Sequence, residues 1–163
     1  MIRKRAVIAI VAVMVGVSVV GCSHQTSPAT RSAAESAPPC AGMATSEYGL
    51  GDAVHRSLSA LVSLPTRFST GAATVTAVAG SDTVTIEIHL CGPGANLDVT
   101  KDAATAVAHE IALSATLGGR VERMTVLNPA TAQRIAAEPF DVVAFAADAA
   151  ASTLRGQWQP VVP

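Results

Sequence analysis

The chain has 163 residues, with 11 Lys and Arg against 12 Asp and Glu, and only five aromatic side chains. A near-neutral chain without a basic patch lacks the electrostatic footprint of a nucleic-acid binder, or of a protein held by charge on an anionic lipid surface. Its length suits one domain.

Arg3, Lys4 and Arg5 precede an apolar run from Ala6 to Val20, interrupted only by Gly16 and Ser18. The run is shorter than the roughly 20 residues a membrane-spanning helix needs, so it reads as an export signal. It ends in Val19-Val20-Gly21-Cys22, and the chain turns polar at once. These four residues resemble the lipobox of bacterial lipoproteins, with Val at the two positions where Leu, and then Ala or Ser, are commoner. The resemblance implies a signal peptide over residues 1–21, a diacylglyceryl group on the Cys22 thiol and cleavage just before it. The domain would then be lipid-anchored to the cell membrane on its extracytoplasmic side. Two acyl chains hold a protein stably where one binds only marginally. Cleavage removes three of the 11 basic residues, leaving eight against 12 acidic ones and a mature chain near −4. Abundant Ala, Val, Thr and Arg, with Lys101 the sole remaining lysine, resemble the composition of an actinobacterial, mycobacterial-type cell-envelope lipoprotein.

Residues 22–39 carry the lipidated cysteine and a stretch of Ser, Ala, Thr and Pro, "SHQTSPATRSAAESAPP", with no aliphatic side chain larger than Ala. Such a segment cannot bury enough apolar surface to offset the entropy of ordering. It is expected to be a flexible tether, up to roughly 55 Å when fully extended.

A single α+β domain is expected over 40–163. Leu50, Val54, Leu58, Leu61 and Val62 recur at helical spacing and Pro65 stops them, predicting a helix over about 46–64. "AATVTAV" and "TVTIEIHLC" flank the turn "AGSD" and predict a β-hairpin. In the second strand Val84, Ile86, Ile88 and Leu90 face a core, while Thr83, Thr85, Glu87, His89 and Cys91 face outward. A second helix is predicted over about 99–117, capped by Asp98 or Thr100 and stopped by Gly118-Gly119. "RVERMTVL" reads as a strand, 128–137 as a short helical turn and "FDVVAFA" as a strand, although 141–154 is rich enough in Ala to be helical. "RGQWQPVV" would add an edge segment, where Pro160 is tolerated. The predicted architecture is a two-layer α+β domain, a mainly antiparallel sheet with both long helices on one face.

Cys40 and Cys91 remain in an exported chain, so a disulfide is the simplest use of the pair. The alternative is a metal site of Cys40, His89 and Cys91, but no fourth ligand suggests itself and the spacing matches no zinc pattern. His109-Glu110 begins like a zinc-protease helix, yet Leu113 stands where the second His belongs. There is no G-x-S-x-G elbow and no phosphate loop, so no catalytic residue, metal or cofactor is assigned. The expected role is a non-enzymatic envelope module that binds an envelope protein, a wall component or a lipid, with Thr85, Glu87 and His89 as candidate contact surface. The alternatives are a carrier of an apolar ligand between sheet and helices, for which the alanines of the second helix would leave room, and a hydrolase of unrecognised type. The lipobox reading has a direct test. Cys22→Ala should abolish incorporation of a fatty-acid probe and leave uncleaved precursor or material lost to the medium. Undiminished label on the variant would overturn the reading.

Overall fold

A computed structural model describes residues 40–162 of the chain. The expected signal peptide, Cys22 and the tether lie outside the described residues.

Helix α1 spans Leu50–Ser63 and buries Leu50, Ala53, Val54, Ser57 and Leu61, a stripe of helical period. It begins four residues later than expected. Glu47–Gly49 form a separate 3-10 turn, and Tyr48 (φ 52°) and Gly49 (φ 72°) lie in the left-handed region, which no α-helix can pass through. Leu64 is extended ahead of Pro65, which fixes the end.

Strands β1 (Ser69–Ala77) and β2 (Val84–Cys91) form the expected antiparallel hairpin. The alternation in β2 is as read: Val84, Ile86, Ile88 and Leu90 are buried and Thr85, Glu87 and His89 are half-buried on the other face. Helix α2 spans Leu97–Ala112, two residues earlier at its start and five earlier at its end than expected. Its cap is neither Asp98 nor Thr100 but Asn96, whose side-chain oxygen accepts from the Val99 amide at 2.9 Å. Gly118-Gly119 is not the helix stop. These residues belong to a 3-10 turn, Gly118–Arg120, folded back on the helix end. A Cβ on Gly118 would come 2.3 Å from the Ala112 carbonyl oxygen, and this fold-back is what buries Leu117 completely.

Strand β3 (Val121–Asn128) pairs parallel with β2, so α2 is the crossover between them. Two expectations fail beyond this point. Residues 133–137 are not helical: Gln133–Ala137 is strand β4, antiparallel to β3. Alanine favours helix intrinsically, but an unpaired β3 edge beside Ile135 and Ala137, both wholly buried, overrides that preference. Nor is "FDVVAFA" a strand. Val142–Ala146 is a short helix α3, with the Asp141 carboxylate accepting from the Ala144 amide at 2.9 Å. One turn of helix swings Phe145 between Phe140 and Trp158, with ring centroids 4.8 and 5.5 Å away. A 3-10 segment, Ala151–Gln157, leads to the edge strand β5 (Gln159–Pro160) on β4.

The described residues therefore form one five-stranded sheet in the order β1-β2-β3-β4-β5, parallel only between β2 and β3. It is a mixed, mostly antiparallel α+β fold. The outer edge of β1 is covered by residues 41–45: the Thr45 amide donates to the Ala73 carbonyl and the Ala72 amide to the Ala41 carbonyl, each at 2.9 Å. Ala103, Ala104, Val107, Ala108 and Ile111 of α2 have no accessible surface. The alanines bring α2 close to its neighbours rather than lining a space against the sheet.

A buried polar cluster ties the crossover to the sheet. Asn128, with no exposed surface, accepts from the Gly92 amide at 3.2 Å and donates to the Gly92 carbonyl at 3.0 Å. The hydroxyl of buried Thr100 donates to Gln133 Oε1 at 2.6 Å, and Gln133 Nε2 donates to the Ala95 carbonyl at 3.1 Å. Truncation by Asn128→Ala leaves the buried Gly92 amide without a partner and its carbonyl with the Ala95 amide alone, at 3.2 Å. It should cost about 2 kcal/mol, read as a lower urea midpoint at unchanged slope.

Candidate functional site

The outward face of the sheet carries the residues that the sequence singled out, and the pairing register adds others. Across the face, Thr76 opposes Thr85, which opposes Arg123. Thr74 opposes Glu87, which opposes Thr125. His89 opposes Leu127, and Leu127 opposes Arg134. Together they form a shallow trough of about 360 Å³, with hydroxyls from β1, β2 and β3 along its floor and two guanidinium groups on one side. His89 stands outside this trough, further along β2.

The charges are arranged as short-range pairs. Arg134 Nη2 donates to Glu87 Oε2 at 2.9 Å, a diagonal contact over β3, and His89 Nε2 lies 3.8 Å from Glu87 Oε1. Arg123 Nε lies 3.3 Å from Glu138 Oε2 but makes no hydrogen bond, and this nitrogen is shielded from solvent. Glu87 and Arg134 keep more than two-fifths of their side-chain surface exposed, so the pair holds the side chains in position more than it stabilises the fold. The face thus offers hydroxyl, carboxylate and guanidinium groups side by side, a surface for hydrogen-bonded recognition.

Thr74, Thr76, Arg123, Thr125 and Arg134 were not legible as site residues in the sequence. Thr74-Thr76 and Arg123-Thr125 each have the i, i+2 spacing of one strand face, but only the register shows that both pairs flank Thr85 and Glu87.

At the far end of β2, Cys40 and Cys91 form the expected disulfide, with Cα atoms 5.4 Å apart. Cys40 Sγ lies 3.9 Å from the His89 carbonyl oxygen, so the bridge covers the outward face next to His89. Gly71 makes room for it, since a Cβ there would stand 2.7 Å from Cys40 Sγ. With both sulfurs bonded to each other, neither is a thiolate ligand, and the alternative metal site of Cys40, His89 and Cys91 does not form. Among the described residues no group of three His, Cys, Asp or Glu side chains could hold a metal ion. Among the same residues no helix is long and apolar enough to cross a membrane.

The other residues weighed for catalysis are spread out. His55 is exposed on α1. Glu110 on α2 accepts from Arg56 Nε at 2.8 Å. His109 Nδ1 bonds the Phe145 carbonyl at 2.8 Å. Arg155 grips Asp102 through Nε at 2.7 Å and Nη2 at 2.5 Å, and reaches Asp98 at 3.2 Å. That hydrogen bond and the two carboxylates raise the Arg155 pKa above its ordinary value, against an opposing effect of desolvation, so the guanidinium stays charged throughout the accessible pH range.

No protein-family model, curated protein or solved structure matches the chain.

The disulfide is open to a direct test. The bridge spans 51 positions, and a loop of that length stabilises by about 4 kcal/mol in the chain-entropy picture. Reduction should lower the melting temperature by on the order of 10 °C. Non-reducing digestion should yield the Cys40 and Cys91 peptides linked.

Proposed function

We propose that this chain is a lipid-anchored protein of the cell envelope whose domain works as a non-enzymatic interaction module. It presents the outward sheet face to an envelope protein, a wall component or a lipid. The observation that carries the reading is the trough over β1, β2 and β3. It gathers threonine hydroxyls with Glu87, Arg123 and Arg134 on a face that no helix of the described residues lines. The lipobox-like residues before Cys22 support the anchor and the side of the membrane. A polar, hydroxyl-lined surface suits a partner recognised through many hydrogen bonds rather than through an apolar anchor.

The test is crosslinking and recovery from native membranes, comparing the wild-type chain with Thr85→Ser, Glu87→Ser and His89→Ser combined. All three residues are partly exposed, so each change should cost under about 0.5 kcal/mol of stability. Recovery of the partner should fall markedly while the melting temperature moves little. Unchanged recovery by a folded variant would overturn the assignment of this face.

A further inference from the structure

The helical side carries a second concavity, independent of the sheet face. Helices α1 and α2 and the segment after α3 surround a cleft of about 210 Å³ that opens to solvent. Its apolar lining is mostly small: Ala60 from α1, Ala106 from α2, and Ala147 and Ala149 after α3, with Leu154 as the larger wall; Phe145 borders it with its side chain wholly buried. The alanines leave the volume, and Leu154 adds to its apolar surface.

His109 is the directed group in this cleft. Its Nδ1 lies 2.8 Å from the Phe145 carbonyl oxygen. A carbonyl only accepts, so Nδ1 carries the hydrogen, and the neutral ring presents a lone pair at Nε2. No hydrogen bond to Nε2 is formed among the described residues. The ring is thus held by the backbone of a residue that itself borders the cleft, with an acceptor left over. The remaining polar lining is biased toward negative charge. Arg56 and Glu110 pair with each other, Nε to Oε2 at 2.8 Å, which leaves the Asp148 charge uncompensated within the lining.

We propose that the cleft binds a small primary amine with a compact apolar body, such as one ring or a short branched chain. The body would lie on Leu154 and the alanines. The ammonium group would donate to His109 Nε2 and be favoured by the Asp148 carboxylate. Size sets the scale. A closed cavity of about 150 Å³ takes benzene, so this cleft of about 210 Å³ has room for one ring with its substituent.

The protein carries its own reporter. Trp158 is the chain's one tryptophan and is buried, with its ring centroid 5.5 Å from that of Phe145. Its Nε1 donates at 2.9 Å to the hydroxyl of Thr105, which also lines the cleft. Full-length protein in detergent would be titrated with benzylamine and, separately, with benzoate, following Trp158 emission and amide chemical shifts. Benzylamine should give a saturable change with shifts centred on Ala106, His109 and Phe145, and benzoate should bind at least tenfold more weakly. Ala106→Leu, which fills the cleft, and His109→Asn, whose amide nitrogen takes the place of Nδ1 while the outer acceptor is lost, should each weaken benzylamine at least tenfold. Equal binding of the two probes, no saturable change with either, or an undiminished response in folded His109→Asn would overturn the proposal.

Discussion

The carboxamide of Asn128, closed off from water and bonded to both backbone groups of Gly92, is the contact on which the arrangement of the sheet depends. A parallel pair such as β2 and β3 has no tight turn to set its register. The chain leaves the sheet at Cys91 and returns only after α2. Asn128 supplies the missing constraint, because it sits at the end of β3 and holds the first residue after β2. Gly92 is also pinned from the other side: a Cβ there would fall 2.2 Å from the buried Phe68 ring. Phe68, Gly92 and Asn128 thus form a stack from the strand start before β1 to the end of β3. Thr100 and Gln133 extend it to α2 and β4 through hydrogen bonds.

With five aromatic residues, the domain cannot rely on many large side chains, and it concentrates three of them. Phe140, Phe145 and Trp158 contact one another in series beside α2. The alanines of α2 are what let this cluster, α1 and the sheet all approach one helix, which is why α2 is buried on most of its circumference. Such close approach leaves polar atoms at risk of losing their partners. The Thr105 hydroxyl resolves this locally: it accepts from Trp158 Nε1 and donates to the Lys101 carbonyl. The Arg155 clamp on Asp102 then fixes the 3-10 segment that delivers Trp158.

What could be read from the sequence divides along a physical line. The hairpin and the facing of β2 were legible, because a period of two with Val, Ile and Leu on one side is a local signal. The two long helices were legible as stripes, with errors at their ends. The caps went to Asn96 rather than Asp98, and Gly49 and Gly118 act through packing and backbone conformation that no stripe encodes. The misread segments, Gln133–Ala137 and Val142–Ala146, are those whose state is decided by contacts distant in sequence. Alanine and isoleucine become strand because β3 needs a partner. Two valines and a phenylalanine become helix because Phe145 has to meet Trp158. The same holds for the site. Thr85, Glu87 and His89 declared themselves by alternation, but Arg123 and Arg134 join them only through register.

The disulfide also orients the domain relative to its own chain entry. Residues before 40 attach at Cys40, and Cys40 is bonded to Cys91 at the C-terminal end of β2. The trough is built around Thr85 and Glu87 nearer the opposite end of the same strand. Six residues separate Thr85 from Cys91, which at a rise of roughly 3.3 Å per residue places them about 20 Å apart. The point of attachment and the trough therefore share a face but not an end. His89 lies between them. The edge of β1 beside Cys40 is closed by residues 41–45, which complete the sheet on that side. The covalent bridge thus fixes Cys40 at the end of β2 away from the polar floor of the trough.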